Sequence, residues 1–318
     1  TDGLALRIVY MDATQGWIPT IDEAVADAPS KGNSEGIFGY GNTGSVTAIT
    51  NLVSNVGVVS ADVTGVGQVR VSLAATEYGT GLGIFGYGQD DAGGMYSMTN
   101  LVTSAGVVGT DVTGVGTARD TPGACRYGGD KAIFGYGSSG SVVSVTNLVT
   151  NVGVVGTDVT GVGSARKQLA ACEYGDDKGI FGFGSTGSIV SLTNLVSNAG
   201  VVATDTTGVG TARYVPSACG YGYDKGIFGY GANSSDAAVS MTNLVSNAGV
   251  VATDTTGVGT ARFGLASCEY GGDKGIFGYG TTGSNTAVTN LVSNAGVVAT
   301  DVSGVGTARR YLAACSFN

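Results

Sequence analysis

Carboxylates, arginines and cysteines recur at fixed intervals in this 318-residue chain, and histidine is absent. Losing His removes the commonest general base and metal ligand. No Gly-x-Ser-x-Gly elbow, P-loop or Cys-x-x-Cys pair is present either. Glu77, Glu173 and Glu269 occupy equivalent positions. A carboxylate pair is what glycosidic cleavage requires, but a position repeated in this way reads first as structural or channel-lining. Arg70, Arg119, Arg166, Arg213, Arg262 and Arg309 also recur. They could ring an anionic ligand, yet backbone carbonyls and the repeated Asp62, Asp111, Asp158, Asp205, Asp254 and Asp301 are their natural partners. Cys125, Cys172, Cys219, Cys268 and Cys315 share one position, with Thr76 in the sixth. Equivalent points of stacked sheets lie about 10 Å apart, beyond the reach of a disulfide, so free buried thiols are expected. No catalytic residue, metal site or cofactor is assigned, and an enzyme is not expected.

These residues are carried by a phrase, G/A-I-F-G-Y/F-G, that begins at Gly36, Gly83, Ala132, Gly179, Gly226 and Gly275, with spacings of 47 or 49 residues. Each phrase continues with T-N-L-V, G-V-V, a T/S-G-V-G stretch, an arginine and a small-residue segment. Self-similarity at this period marks a repeat architecture. Glycine (57 residues), few prolines (4) and 12% charged residues suit tightly packed sheet. Each unit reads as four short strands, taken in the fifth unit near Ala218–Tyr221, Gly226–Gly231, Val239–Val245 and Val250–Asp254. In Ile227-Phe228-Gly229-Tyr230-Gly231, period two places both rings on one face, ready to settle on a neighbour's glycines.

The fold class that follows is all-β, a six-bladed β-propeller of four-stranded blades spanning 36–318. The first unit lacks its own Ala-x-Cys-x-Tyr strand, and Ala313–Asn318 supplies it, so the C-terminal strand closes the first blade. Residues 1–35 read as an attachment segment and linker. They hold a strand near Leu4–Tyr10, a turn at Asp12–Gly16, a packed Trp17, a helix-capping box at Thr20-Ile21-Asp22-Glu23 and a polar linker, Ser30–Glu35. The chain starts on Thr rather than Met and shows no signal peptide, as expected of a fragment or processed chain. A net charge of −9 speaks against nucleic acid, and no apolar run is long enough to span a membrane.

Function is expected where the units differ. The triplet after each arginine reads VSL, DTP, KQL, YVP, FGL and RYL, and the loop after the second strand is two residues longer at Gln89–Met98 and Ala232–Met241. The candidate ligand-binding residues are Asp90, Asp91, Tyr96, Lys167, Tyr214, Phe263, Arg310 and Tyr311, with the aromatics expected to be exposed.

Arg213, then Tyr221-Gly222, then Ile227–Gly231 resembles a Kelch-type blade, without that family's Gly-Gly pair or later Trp. The stretch R-I-V-Y-M-D-A-T-Q-G-W-I-P-T, Arg7–Thr20, resembles one found in bacteriophage tail-fibre and other virion structural proteins, as does the repeat itself. That resemblance implies a virion-borne, extracellular receptor-binding module for a host-surface glycan or protein, joined to other virion subunits through residues 1–35. It also implies a homotrimer, although no heptad or collagen-like repeat is present. The alternatives are a structural or decorating virion propeller that mediates subunit contacts, and a secreted lectin or carbohydrate hydrolase.

Overall fold

The computed structural model describes residues 7–12, 16–20 and 34–317. The chain divides into two compact units, Thr1–Gly32 and Asn33–Asn318. In the first, β1 (Arg7–Asp12) and β2 (Gly16–Thr20) pair antiparallel, with Tyr10 opposite Trp17 and an irregularity between Tyr10 and Asp12. Of the strand expected near Leu4–Tyr10, Arg7–Tyr10 lies in β1, and residues 4–6 lie outside the described residues. The capping box after Thr20, the turn at 13–15, most of the linker and the packing of Trp17 lie outside the described residues.

Among the described residues of the second unit, the regular elements are all short strands. In chain order they are β3 (Glu35–Gly39), β4 (Thr50–Val53), β5 (Ala74–Tyr78), β6 (Leu82–Gly86), β7 (Thr99–Val102), β8 (Gly123–Tyr127) and β9 (Lys131–Gly135). Then come β10 (Thr146–Val149), β11 (Ala170–Tyr174), β12 (Lys178–Gly182), β13 (Thr193–Val196), β14 (Ser217–Tyr221) and β15 (Lys225–Gly229). The last are β16 (Thr242–Val245), β17 (Ala266–Tyr270), β18 (Lys274–Gly278), β19 (Thr289–Val292) and β20 (Ala313–Phe317). They form six three-stranded antiparallel sheets in a propeller-like repeat. The first sheet is β20-β3-β4; the second to sixth run β5-β6-β7 through β17-β18-β19. Cys315 lies opposite Ile37, so the C-terminal strand occupies the place that β5, β8, β11, β14 and β17 hold in their own sheets.

The expected fourth strand is a correction. Its residues touch the third strand only at two isolated bridges per sheet, such as Val245 with Val251 and Thr242 with Thr255. Three steps on one side oppose four on the other, so one residue bulges out of the ladder. The Asn243 side chain fills that gap, donating from Nδ2 to Ala252 O at 3.0 Å and Asp254 Oδ1 at 2.9 Å. An amide side chain thus replaces a rung, and three regular strands remain.

The strands nearest the axis pack on one another in the cyclic order β5, β8, β11, β14, β17, β20 and back to β5. Between successive sheets lie apolar clusters of the same make-up. Phenylalanine on bare glycine is the shared contact. A Cβ on Gly182 would stand 2.7 Å from Phe228 Cζ, and Gly39–Phe85 and Gly278–Phe38 repeat the relation at the two ends of the chain. The period-two reading fails one residue later. The strand ends at Gly229, and Tyr230 takes φ 61°. Phe228 therefore meets Phe183 of the fourth sheet while Tyr230 meets Phe277 of the sixth, each pair at 5.2 Å. The two rings serve opposite interfaces because a left-handed residue reverses the alternation.

Arginines lock the same interfaces. All six are fully buried, with guanidinium carbons 4.0–5.0 Å from the Tyr40, Tyr87, Tyr136, Phe183, Tyr230 and Tyr279 ring centroids. Arg213 donates to Asn243 Oδ1 at 2.7 Å, and Arg309 to Tyr40 O at 2.8 Å. Burial lowers the guanidinium pKa, in Arg213 to about 10, which leaves it charged at neutral pH. Beside them each aspartate clasps the preceding sheet. Thr307 donates to Asp62 from both its backbone N–H and its hydroxyl.

Candidate functional site

The residues that follow the buried arginines form an annulus at one end of the axis. The first of each triplet (Val71, Asp120, Lys167, Tyr214, Phe263, Arg310) bridges to the loop leaving the middle strand of its sheet. The second (Ser72, Thr121, Gln168, Val215, Gly264, Tyr311) has φ between 49° and 63°. These six link sheet to sheet by backbone hydrogen bonds. Val215 donates to Gln168, Gln168 to Thr121, Thr121 to Ser72, Ser72 to Tyr311, and Tyr311 to Gly264, at 2.7–3.2 Å. A collar of left-handed residues thus surrounds the axial opening. For Thr121 and Val215 that conformation is strained, because a β-branched side chain crowds the backbone there. The third residues (Leu73, Pro122, Leu169, Pro216, Leu265, Leu312) are buried against the axis.

Outside the collar lies a cavity of about 350 Å³. Asp90, Asp91, Arg310 and Tyr311 line it together with Asn42, Val71, Ser72, Gln89, Asp120, Thr121 and Gln168. Four of the eight residues expected from the sequence therefore meet in one place. Asp91 is exposed and accepts the Val46 N–H at 2.9 Å, which ties the first sheet's loop to the second's. Arg310 lies with its guanidinium carbon 5.5 Å from the Tyr311 ring. Its Nε is buried and has no hydrogen-bond partner among the described residues. Burial raises the Asp120 carboxyl and the Tyr311 phenol above their usual values.

The other expected residues stand around this cavity. Lys167 is close enough to Asp120 to oppose the rise in that carboxyl. Phe263 and Tyr311 lie 6.4 Å apart, ring to ring. Tyr214 donates to Asp236 at 2.6 Å, and burial and that carboxylate push its phenol up to about 12. Tyr96 donates to Asp90 at 2.8 Å. Asp90 also accepts the Ala92 and Gly94 N–H groups, and its pKa falls, with the Tyr96 bond as the main cause. That pair shapes the longer loop from within. The aromatics are half-buried rather than exposed: Tyr96 is hydrogen-bonded within its own loop, Tyr214 to Asp236, and Phe263 lies against Tyr311.

Within the collar the axis holds a cavity of about 80 Å³ between the six collar residues and the Leu or Pro that follows each, and below it one of about 110 Å³ lined largely by Leu, Pro and Ala. It reaches about 40 Å³ beside Glu77, Glu173 and Glu269. One carboxylate oxygen from each lies within 4.8 Å of the others, and Arg126 lines the same cavity. Oxygens so placed could hold a hard cation. The space admits a few waters and no sugar ring. The five cysteines stand behind them as free buried thiols, and burial raises their pKa values, so they carry no thiolate chemistry.

Sequence reasoning missed Asn42, Gln89, Asp120 and Gln168 as cavity residues. The triplets contained two of them, and the cue was that every triplet starts at the same distance from a buried arginine. Asn42 carried no such cue, because it reaches the site only through the pairing of the two chain ends. No protein-family model matches the chain, and no curated protein is similar to it in sequence.

Proposed function

We propose that this chain is a non-enzymatic recognition module of a virion appendage, tail-fibre-like, in which a closed six-bladed Kelch-like propeller presents its collar end to a host-surface glycan or protein. One observation carries the reading. The interior repeats nearly the same residues at all six interfaces, with Thr76, Ala132 and Phe183 among the few departures, whereas the annulus differs from sheet to sheet and its differing residues surround one ligand-sized cavity. Residues 1–35, whose hairpin coincides with the tail-fibre-like stretch Arg7–Thr20, would join the module to other virion subunits. Affinity would come from several weak contacts multiplied by the copies an appendage carries.

A second reading, a structural virion propeller, draws on the opposite edge of each sheet. Val58, Val107, Val154, Val201, Val250 and Val297 are 59–65% exposed there. A lateral groove of about 200 Å³ runs beside Leu52, Val66 and Val107. Adsorption separates the two. The fluorescently labelled full chain, titrated onto host cells, saturates them and competes with virus if it recognises them. If it does neither, and instead associates with other virion proteins, the structural reading replaces the first.

A further inference from the structure

Resting on the recognition reading, we infer that the annulus is an oligosaccharide site with two adjoining subsites that share Tyr311, and that its ligand is a neutral glycan lying across the mouth. The first subsite is the 350 Å³ cavity, which is large enough for a small ligand. Its walls are what a ring of hydroxyls needs. Asp91 and Asp120 are acceptors for two hydroxyl protons, Gln168 both donates and accepts, and Arg310 is a donor whose buried Nε has no acceptor among the described residues. Tyr311 supplies the flat apolar face for the C–H side of the sugar.

The second subsite begins where the first ends. Phe263 lies 6.4 Å from Tyr311, tilted by 55°, so the two rings form a stepped platform. Tyr214 extends it, its phenol fixed by Asp236. Side chains held this way lose little rotational freedom when a ligand binds. A ligand entering the axis instead would meet a space of about 80 Å³ between the collar and the buried leucines and prolines, which gives a sugar ring no room. Charge fixes the ligand class. Asp90, Asp91 and Asp120 face the cavity against the Arg310 guanidinium and the Lys167 ammonium near Asp120, in a chain of net charge −9, so the carboxylates prevail and sialylated or sulfated glycans are repelled.

The test uses the full chain on an array of neutral, sialylated and sulfated oligosaccharides. Titration and saturation-transfer NMR follow on the strongest neutral binder. The inference expects neutral glycans of two or more rings to bind, with transfer concentrated on sugar C–H protons. Tyr311→Ala should weaken binding about tenfold, Phe263→Ala and Asp120→Asn about threefold, and Tyr311→Phe and the rim variant Val201→Ala less than twofold. Thermal melts confirm that each variant is folded, and Asp120→Asn keeps the test open if Tyr311→Ala is not. Binding to charged glycans alone, no binding at all, or Tyr311→Ala and Asp120→Asn both binding like wild type overturns the inference. Cell adsorption separates this failure from that of the parent reading. Adsorption that survives periodate but not protease sinks the saccharide and leaves recognition standing, whereas no adsorption sinks recognition.

Discussion

Arg309 and Arg310 are neighbours of the same type, and they belong to different worlds. Arg309 is fully buried, with its guanidinium carbon 4.2 Å from the Tyr279 ring and its Nε on Tyr40 O. Arg310 is half-buried, pairs through its backbone with Asn42 and lines an open cavity. Every sheet presents an aromatic ring to an arginine in the first position, and Arg166, Arg262 and Arg309 also donate from Nε to the backbone carbonyl of Phe183, Tyr279 and Tyr40, so that residue is repeated around the axis. Nothing comparable constrains the second, so the triplets diverge. The largest expected effect tests this contrast directly. Arg309→Ala leaves a cavity and strips partners from a buried ring and carbonyl, and it should cost about 3–5 kcal/mol in urea denaturation. Arg310→Ala should cost about 0.5 kcal/mol or less. Equal losses would erase the distinction between lattice and annulus.

A sharper probe of the lattice uses glycines whose missing side chain matters. A Cβ on Gly226 would stand 2.5 Å from Cys172 Sγ and 3.0 Å from Glu173 O. Gly36, Gly83, Gly179 and Gly275 meet a cysteine sulfur in the same way. The exception is Ala132, and the cyclic order of the sheets puts Thr76, the one departure from cysteine, in the facing strand. Gly226→Ala should therefore cost about 1–3 kcal/mol through overpacking. Adding Cys172→Thr should recover about 1 kcal/mol or more as a coupling energy. Strict additivity in the double-mutant cycle would show that the Ala132–Thr76 match is incidental.

The annulus should respond in the opposite direction. Val215 sits in the collar at φ 50°, where the fifth triplet places Gly264 at φ 63°. A β-branched residue there carries about 1–3 kcal/mol of strain, and glycine returns part of the relief as chain entropy. Val215→Gly should leave a net gain of about 1 kcal/mol while its N–H still donates to Gln168 O. A loss of stability on calorimetry would show that the collar is not strained.

These contrasts also say what could be read from the sequence. The period, the sheet count and the partnership of Ala313–Phe317 with the first phrase were legible, because each rests on residues that recur or are conspicuously missing from one unit. Tyr230 misled because alternation carries no sign of a positive φ. The fourth strand misled because G-V-V has strand-like residues, and only the side chain of Asn243 shows that a rung has been replaced. The cavity was half legible. Asp90, Asp91, Arg310 and Tyr311 announced themselves by differing between units, but Asn42, Asp120 and Gln168 join them only once the sheets are arranged around an axis.

The smallest expected effect concerns the clasps between sheets. Asp62, Asp158, Asp205, Asp254 and Asp301 all titrate below the usual carboxylate range. Burial is the largest single influence and pushes them upward, but a Thr or Ser hydroxyl, an Asn amide and a backbone N–H together outweigh it, helped by the nearby arginine. A carboxyl whose folded pKa is depressed adds stability that is complete above its unfolded pKa, about 3.9. That stability is lost as pH falls through the folded value. The lattice should accordingly hold its melting temperature from pH 7 to about 5 and lose it progressively below 4. Each exposed carboxylate contributes little, because solvent screens it. Asp158→Asn, which keeps an acceptor for Thr117 but cannot titrate, should lower the melting temperature slightly at pH 7 and make its fall below pH 4 shallower. If Asp158→Asn leaves the acid slope as steep as in the wild type, the acid sensitivity belongs to net charge and not to the clasps.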